Sequence, residues 1–337
     1  MNEFQTDQGK PYKQFSYFGI ALDPIHIGTG GYRLGRVDNT IARDTTTTLP
    51  ILFGSSIEGT ARTYSAYALI EDNMSIKKQK GEEKKYLECA GKTVEEGNGK
   101  RRQCGVCEIC VTYGFSNKDR SLHGMAQFSD AKLLFFPVHT MFGPVWVTCP
   151  GILNEPEVLG EHGTHVTVSK NKIRTRVVRK DERLNLGWIY LENEDDTLAM
   201  DEKFKKANIS GEVLQRLVIV SDELFPHVVN SNLEVRTSVS IEPETGAAQE
   251  GALFTYEAIP RATVMYFTVT ILDPKNFNLG NVKFKDTRGN DKDITIEDIR
   301  DKVEQGLELF EYLGLGGMGT RGFGRFKILN LKGEGNG

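Results

Sequence analysis

An α+β fold built on a mainly antiparallel sheet is what this sequence predicts, on three observations. Short runs rich in β-branched and aromatic residues recur along the chain, two segments carry helical apolar spacing, and the long strand–helix alternation of a doubly wound sheet is missing. The 337 residues suffice for a sizeable core. With 46 acidic against 42 basic side chains, the chain is not one that coats nucleic acid with its whole surface, so any such binding is local. No run approaches the about 20 apolar residues that span a bilayer, and the opening MNEFQTDQGKPYKQF lacks a signal-peptide apolar stretch. A cytoplasmic protein without a membrane partner is the expectation.

Residues 15–22, FSYFGIAL, alternate and carry aromatics, predicting a strand that the turn-forming DPIHIGTGGYRLG interrupts. After the polar RDTTTTLP comes GSSIEGTARTYSAYALIED, whose Ile57, Ala61, Tyr64, Ala68 and Leu69 recur at helical spacing. Its serine-rich start offers Ser55 or Ser56 as the helix cap. The segment from Lys77 to Gln103 is polar and glycine-punctuated, an insertion expected outside the core. MAQFSDAKLLFFPV and PVWVTCPGIL, separated by a short HTMFG turn, suggest paired central strands, whereas residues 154–182 lose that periodicity. Strand signals return at GWIYLE, RLVIVSD, VRTSVSI, ALFTYEAI and VMYFTVTIL, with ETGAAQEG as a hairpin loop. DITIEDIRDKVEQGLELFEYLG places Ile299, Val303, Leu307, Leu309 and Phe310 on one face of a long amphipathic helix. The glycine-dense GLGGMGTRGFGRFKIL then returns to a strand.

Four of the five cysteines, Cys89, Cys104, Cys107 and Cys110, fall within 22 residues, while Cys149 stands alone. In a reducing compartment the tight CGVCEIC array reads as a metal site, with structural Zn2+ the best match. Reduced thiols without a metal, or a set in which His123 replaces one cysteine, are the competing readings. An all-thiolate site leaves no open position for water, so such an ion holds a loop and hydrolyses nothing.

Four further stretches bear on function. Lys77 to Arg102 holds nine basic residues against five acidic, and Ser169 to Arg183 seven against two; each is a nucleic-acid contact or a solvated loop. GLGGMGTRGFG has six glycines in eleven residues, which lets backbone N–H groups approach a phosphate, and Arg321 and Arg325 favour that reading over a plain turn. It is neither a Walker loop, lacking GK[ST], nor a dinucleotide fingerprint, since it follows a helix. HIGTGGYRLGRVDNTIARD gathers His26, Arg33, Arg36, Asp38, Arg43 and Asp44. Such a set mixes phosphate binding with proton handling, and Asp38 suits a general base or the holder of a divalent cation at a scissile phosphate. As structural residues, Asp38 would shape a turn and His26 fill a core position.

LPILFGSSIEGTAR resembles the LPGSSLKGxLR signature of the RAMP superfamily, and GLGGMGTRGFGRFKI its C-terminal glycine-rich loop and strand. SDAKLLFFPVHTMFGPVWVTCPGIL, LVIVSDELF and EVRTSVSIEPETGAAQEGALFTYEAIP are similar, in order, to the repeating backbone subunit of the Cmr-type (III-B) CRISPR complexes. The resemblance spans roughly residues 15–330, leaving out the insertion at 77–116; the zinc-type insertion itself looks more like those of III-D and III-E modules.

The resemblance implies an RRM-like, ferredoxin-type core with a thumb β-hairpin at 236–262; the residues themselves add a four-cysteine zinc-binding insertion at 77–116 and a basic insertion at 154–183. It implies a filament of such subunits, with other type III subunits, along crRNA, cutting bound target RNA with Mg2+ or Mn2+. Asp38 matches the family's nuclease aspartate and His26 a second loop position. Arg33, Arg36, Arg43, Ser55, Ser56, Arg62, Gly316, Gly317, Arg321 and Arg325 would bind RNA, and Phe254 would wedge against a base, worth about 1–3 kcal/mol. Glu58 stands where the signature carries lysine, so that phosphate contact is either missing or supplied by Arg62. Thr255 and Tyr256 stand where the thumb often has Tyr-Glu. A backbone subunit that binds crRNA and target without cutting is the alternative, and an unrelated zinc hydrolase a third reading, disfavoured by the all-cysteine array.

Overall fold

The computed structural model describes residues 10–29, 37–75, 82–91, 95–96, 99–100, 103–117, 120–159, 166–198, 204–205, 207–279, 282–285 and 291–332. The chain divides into two compact units: Met1–Ser16, Gly54–Asp130 and Thr268–Phe310 form one, and Tyr17–Phe53, Ala131–Phe267 and Glu311–Gly337 the other. Elements are named in chain order. The strands are β1 (Tyr12–Ala21), β2 (Ala126–Phe128), β3 (Lys132–Thr140), β4 (Gly143–Thr148), β5 (Lys172–Thr175) and β6 (Arg183–Leu186). They continue with β7 (Ile189–Asp195), β8 (Leu217–Val220), β9 (Glu234–Ile241), β10 (Ala248–Ala258), β11 (Val264–Leu272) and β12 (Phe326–Ile328). The helices needed here are α1 (Gly54–Ser75), α2 (Glu82–Ala90), α3 (Glu108–Tyr113), α4 (Phe225–Ser231) and α5 (Ile296–Glu308).

In the first unit α1 and α5 cross closely because Gly306 lacks a side chain: a Cβ there would lie 2.3 Å from the Ala61 carbonyl. Ser65 then ties three helices, donating to the Lys302 carbonyl and sharing a hydrogen bond with the Tyr113 hydroxyl, both at 2.7 Å. The sequence places the cap of α1 at Ser55 or Ser56, but both lie inside its first turn. Gly54 opens the helix, and its N–H donates to Asp130 Oδ1 at 2.7 Å, so a carboxylate from 76 positions on satisfies the terminus. A capping box of Thr295 and Asp298 starts α5, which buries Ile299, Val303 and Leu307, followed by Phe310.

The second unit is organised on a sheet ordered β6-β7-β5-β8-β4-β3-β11-β1-β12. Most pairs are antiparallel, in keeping with the mainly antiparallel sheet the sequence predicts, while β7 with β5 and β8 with β4 run parallel. The two apolar runs do pair, through Phe136↔Val147 to Thr140↔Gly143. Their Leu133, Leu134, Phe135 and Phe136 are all buried, the pattern of a strand covered on both faces.

Residues 154–182, where the sequence loses strand periodicity, contain β5. Its KIRT sequence reads as a basic loop, yet Ile173 and Thr175 are buried while Lys172 and Arg174 pair with Glu192 and Asp195 of the adjacent β7. Charge neutralised across a ladder mimics a solvated charge run in one dimension. β9 and β10 form a separate two-stranded hairpin with register Thr237↔Thr255 and Ser238↔Phe254. It leaves Val235, Val239, Ile241, Leu253 and Phe254 exposed.

Candidate functional site

In the second unit, three segments distant in sequence meet at the base of that hairpin. Residues Val37–Arg43 lie along β10: the Asn39 N–H donates to the Thr255 carbonyl at 3.0 Å and Glu257 N–H to the Asn39 carbonyl at 2.9 Å, a parallel bridge centred on Tyr256. Because strand carbonyls and amides alternate between edges, the odd-numbered residues of β10 serve this loop while the even-numbered ones face β9.

Asp38 is fixed by a single residue. Thr255 donates to Asp38 Oδ2 from both its backbone N–H and its hydroxyl at 2.8 Å, and the same hydroxyl accepts from the Asp38 N–H at 2.9 Å. The backbone N–H of Thr255 first, and then its hydroxyl, hold the Asp38 carboxyl below the ordinary aspartate value. Oδ1 accepts no hydrogen bond among the described residues, and the side chain is exposed. The arrangement offers one anchored and one available oxygen, charged at neutral pH.

His26 lies beside this clamp, buried to 8% exposure. Its Nδ1 is 2.7 Å from the Glu257 carbonyl, an acceptor only, so Nδ1 carries a hydrogen and donates it there. The ring meets Tyr256 edge-on at 5.9 Å. Glu257, also buried, receives the Arg43 guanidinium at 2.6 Å and the Ile41 N–H at 3.2 Å. Arg43 also donates to Asn230 Oδ1 and the Ile41 carbonyl, each at 3.2 Å. Arg43, expected at RNA, thus has a guanidinium engaged in part by the loop's own framework.

The C-terminal glycine loop packs on the same place. Gly317 N–H donates to the His26 carbonyl at 2.9 Å and Gly324 N–H to the Pro24 carbonyl at 2.9 Å. Gly316 has a left-handed φ of 82°, and a Cβ there would sit 2.7 Å from the His26 carbonyl oxygen, which is the physical demand for glycine. The Gly317 amide is thus committed to the protein. Arg325 is held bidentately by Asp23 at 2.6 and 3.0 Å, a pair that lowers the Asp23 pKa and raises that of Arg325. Arg321 is exposed, with no side-chain partner among the described residues. Arg33 and Arg36 lie outside the described residues. Phe254, 40% exposed, stands one position before Thr255.

Sequence reading missed Thr255 as a ligand of Asp38, Glu257 as the counter-ion of Arg43, and Arg236. The last packs 4.9 Å over the Phe323 ring and pairs with Glu234 at 2.6 Å. The available signal was strand alternation, which puts 255 and 257 on one edge and face of β10.

The second cluster lies in the first unit. The Sγ atoms of Cys89, Cys104, Cys107 and Cys110 all lie within 4.8 Å of one another; thiolates about 2.3 Å from one tetrahedral ion stand about 3.8 Å apart, so the set fits a single ion. Backbone N–H groups of Cys104, Gly105 and Val106 approach Cys89, Cys110 and Cys104 sulfurs at 3.3, 3.4 and 3.4 Å, the outer support of a thiolate centre. Hydrogen bonding among the four sulfurs splits the thiols, lowering those of Cys104 and Cys89 and raising those of Cys107 and Cys110. His123 packs edge-on against Phe277 at 5.4 Å and is not one of the grouped ligands. The sequence puts this insertion outside the core; its base is inside, with Cys89, Cys107, Ile109, Cys110 and Val111 buried, while much of the basic run from Lys77 to Arg102 lies outside the described residues.

Arg62, expected at RNA, instead serves this centre. Its Nη2 donates to the Cys89 carbonyl at 2.7 Å and the Gly114 carbonyl at 2.9 Å, with Nε 3.2 Å from the former. Glu58, one turn earlier, lies 3.9 Å from it, too far for a hydrogen bond, and burial raises that carboxyl's pKa. Ser55 is exposed and Ser56 half-buried.

Comparison with known proteins gives three findings. The model of the RAMP superfamily matches residues 20–327. The chain is 25% identical over 323 residues, covering 91% of its own length and 92% of the relative, to the CRISPR system Cmr endoribonuclease Cmr4 of Pyrococcus furiosus. Among solved structures it is similar in fold to a chain of the type III-B Cmr-beta complex in its apo state, with a TM-score of 0.60 at 15% identity, covering 94% of this chain and 96% of that one. A chain of Cmr-beta bound to cognate target RNA gives 0.58 at 15% identity, with 95% and 98% covered. Oligomeric Cmr4 from Pyrococcus furiosus gives 0.54 at 18% identity, again with 95% and 98% covered.

Proposed function

Because its superfamily model spans residues 20–327, the chain belongs to the RAMP superfamily, and from that premise we propose that it is a crRNA-binding backbone subunit of a type III CRISPR effector complex of the Cmr kind. In this reading copies of it stack along crRNA beside other effector subunits in the cytoplasm, on an RRM-like core, and cleave complementary target RNA. Likeness to an endoribonuclease across nine-tenths of both chains supports the cutting activity. No helix among the described residues is long and apolar enough to cross a membrane.

The observation that carries the reading is the Asp38 clamp: an exposed carboxylate held by Thr255, one residue from the exposed aromatic Phe254. Asp38 is the catalytic carboxylate. Its lowered pKa makes it a poor proton acceptor and a durable negative charge, which favours holding a cation over general-base work. Mg2+ or Mn2+, held by Asp38 with the scissile phosphate, would neutralise charge developing on the phosphate oxygens. His26, buried and bonded to both the thumb strand and the glycine loop, is a positioning residue. Phe254 offers a face for a displaced base. Arg321, with Arg33, Arg36 and the protein-bound Arg325, supplies the positive charge for the RNA backbone. Ser55 and Ser56 are further candidates for phosphate contacts, whereas Arg43 and Arg62 support the loops around them.

The four cysteines are a structural Zn2+ site. All-thiolate ligation leaves no open position, so a bound ion would tie α2 to the knuckle before α3 and take no part in cleavage.

The assembled complex, incubated with labelled complementary RNA and Mg2+, is expected to give regularly spaced products. Asp38→Asn abolishes them while target binding is retained. A binding-only subunit gives no such products from the parent complex, and products that persist in Asp38→Asn remove the nuclease from this residue.

A further inference from the structure

We propose that Thr255 is the positioning residue of the cleavage site, and that β10 sets in one rigid element both the displaced base and the carboxylate that serves the cut. The inference rests on the assignment of Asp38 as the catalytic carboxylate. An exposed aspartate on a loop has several rotamers open to it, and cleavage needs one. Thr255 removes that freedom with three hydrogen bonds of 2.8, 2.8 and 2.9 Å, two of them closing on one carboxylate oxygen. The loop backbone is fixed separately, by the Asn39 bridge to Thr255 and Glu257. Side-chain rotamer and backbone register therefore depend on the same strand, the rotamer on Thr255 and the register on Thr255 and Glu257.

The neighbours of Thr255 give the clamp its consequence. A strand rises about 3.4 Å per residue and its successive side chains point to opposite faces, so Phe254 and Thr255 present a base platform and a carboxylate anchor from adjacent positions. The pairing of β10 with β9 holds both, through Ser238↔Phe254 and Thr237↔Thr255. Below them Glu257 fixes Arg43 and the Ile41 N–H, and its carbonyl holds His26. A hydroxyl at 255 can donate to Asp38 Oδ2 while accepting from the Asp38 N–H; no apolar side chain of that size can do either.

The test uses the assembled complex with crRNA and labelled target. Thr255→Val keeps the β-branched shape and the backbone N–H but deletes the hydroxyl; Thr255→Ser keeps the hydroxyl. Single-turnover cleavage at saturating Mg2+ is expected to fall by roughly tenfold or more in Thr255→Val, the scale of one lost charge-assisted hydrogen bond. Target Kd stays within about twofold, and Thr255→Ser recovers most of the rate. A merely structural threonine would move Kd together with the rate and would not be rescued by serine, and that outcome overturns the proposal. If Asp38→Asn is inactive while Thr255→Val cuts at the parent rate, this inference alone falls. If Asp38→Asn itself cuts normally, the catalytic assignment falls and this inference with it.

Discussion

The cysteine centre and the Asp38 clamp use opposite strategies to hold reactive groups. At the first, four ligands within 22 residues are gathered in the interior, with backbone amides on the sulfurs and Arg62 on the carbonyls behind them. At the second, one carboxylate stays exposed and is restrained by a residue 217 positions away. Burial suits a group whose task is to hold the chain together, since a metal bond in the interior adds directly to folding free energy. Exposure suits a group that must meet an outside ligand, and its restraint then has to come from hydrogen bonds and not from packing. The two sites should accordingly fail differently when disturbed.

The largest expected effect follows from that difference. Removing metal from the purified protein with a strong chelator, or introducing Cys107→Ser, should cost about 3–5 kcal/mol and lower Tm by on the order of 10 °C. Asp38→Asn, by contrast, should leave Tm within about 2 °C, since a single exposed side chain is altered. Calorimetry of the two variants beside metal analysis of the parent checks both halves. Equal Tm for parent and Cys107→Ser, or a parent free of bound metal, removes the structural role of the cluster.

The same contrast explains what the sequence made legible. Four closely spaced cysteines can be nominated together because they are local in sequence, with His123 as the alternative ligand, and the structure gathers the four sulfurs. Asp38, His26 and the glycine loop could be nominated one by one, but their meeting at β10 could not be derived from local spacing. Thr255 even appeared as a departure from a family pattern, when it is the residue that holds Asp38. Arg43, Arg62 and Arg325 read as phosphate ligands because sequence shows their charge but not their partners, and each is engaged by the protein. The amphipathic α5 and the paired β3 and β4 were readable from periodicity. The β5 strand was not, because its cations are neutralised only across a neighbouring strand.

Arg62 and Glu257 probe the independence of the two sites at a smaller scale. Arg62→Ala frees the Cys89 and Gly114 carbonyls and should cost about 2–3 kcal/mol. It should also hasten zinc loss to a chromogenic chelator, leaving cleavage by the metal-loaded complex within a few-fold of the parent. Glu257→Gln, at the clamp, weakens the pair with Arg43 and should cost about 1–3 kcal/mol. It should slow cleavage without altering the rate of zinc release. If either variant affects the opposite site more than its own, the two do not act independently.

The smallest effect is the most direct reading of the clamp. Hydrogen bonds from Thr255 to the ionised form hold the folded-state pKa of Asp38 below its reference of 3.8, so ionised Asp38 favours the folded state above the unfolded value. That contribution is lost as pH falls through the folded value, in the acid range below about pH 4. Titrating the side-chain carboxyl carbon of Asp38 by NMR in metal-free buffer should give a midpoint below the reference. In Thr255→Val the backbone N–H remains, so the midpoint should move up only part of the way, and in Thr255→Ser it should return to the parent position. A midpoint at the reference in the parent, or one indifferent to the hydroxyl at 255, would mean that the carboxylate is free in solution and is not fixed by β10.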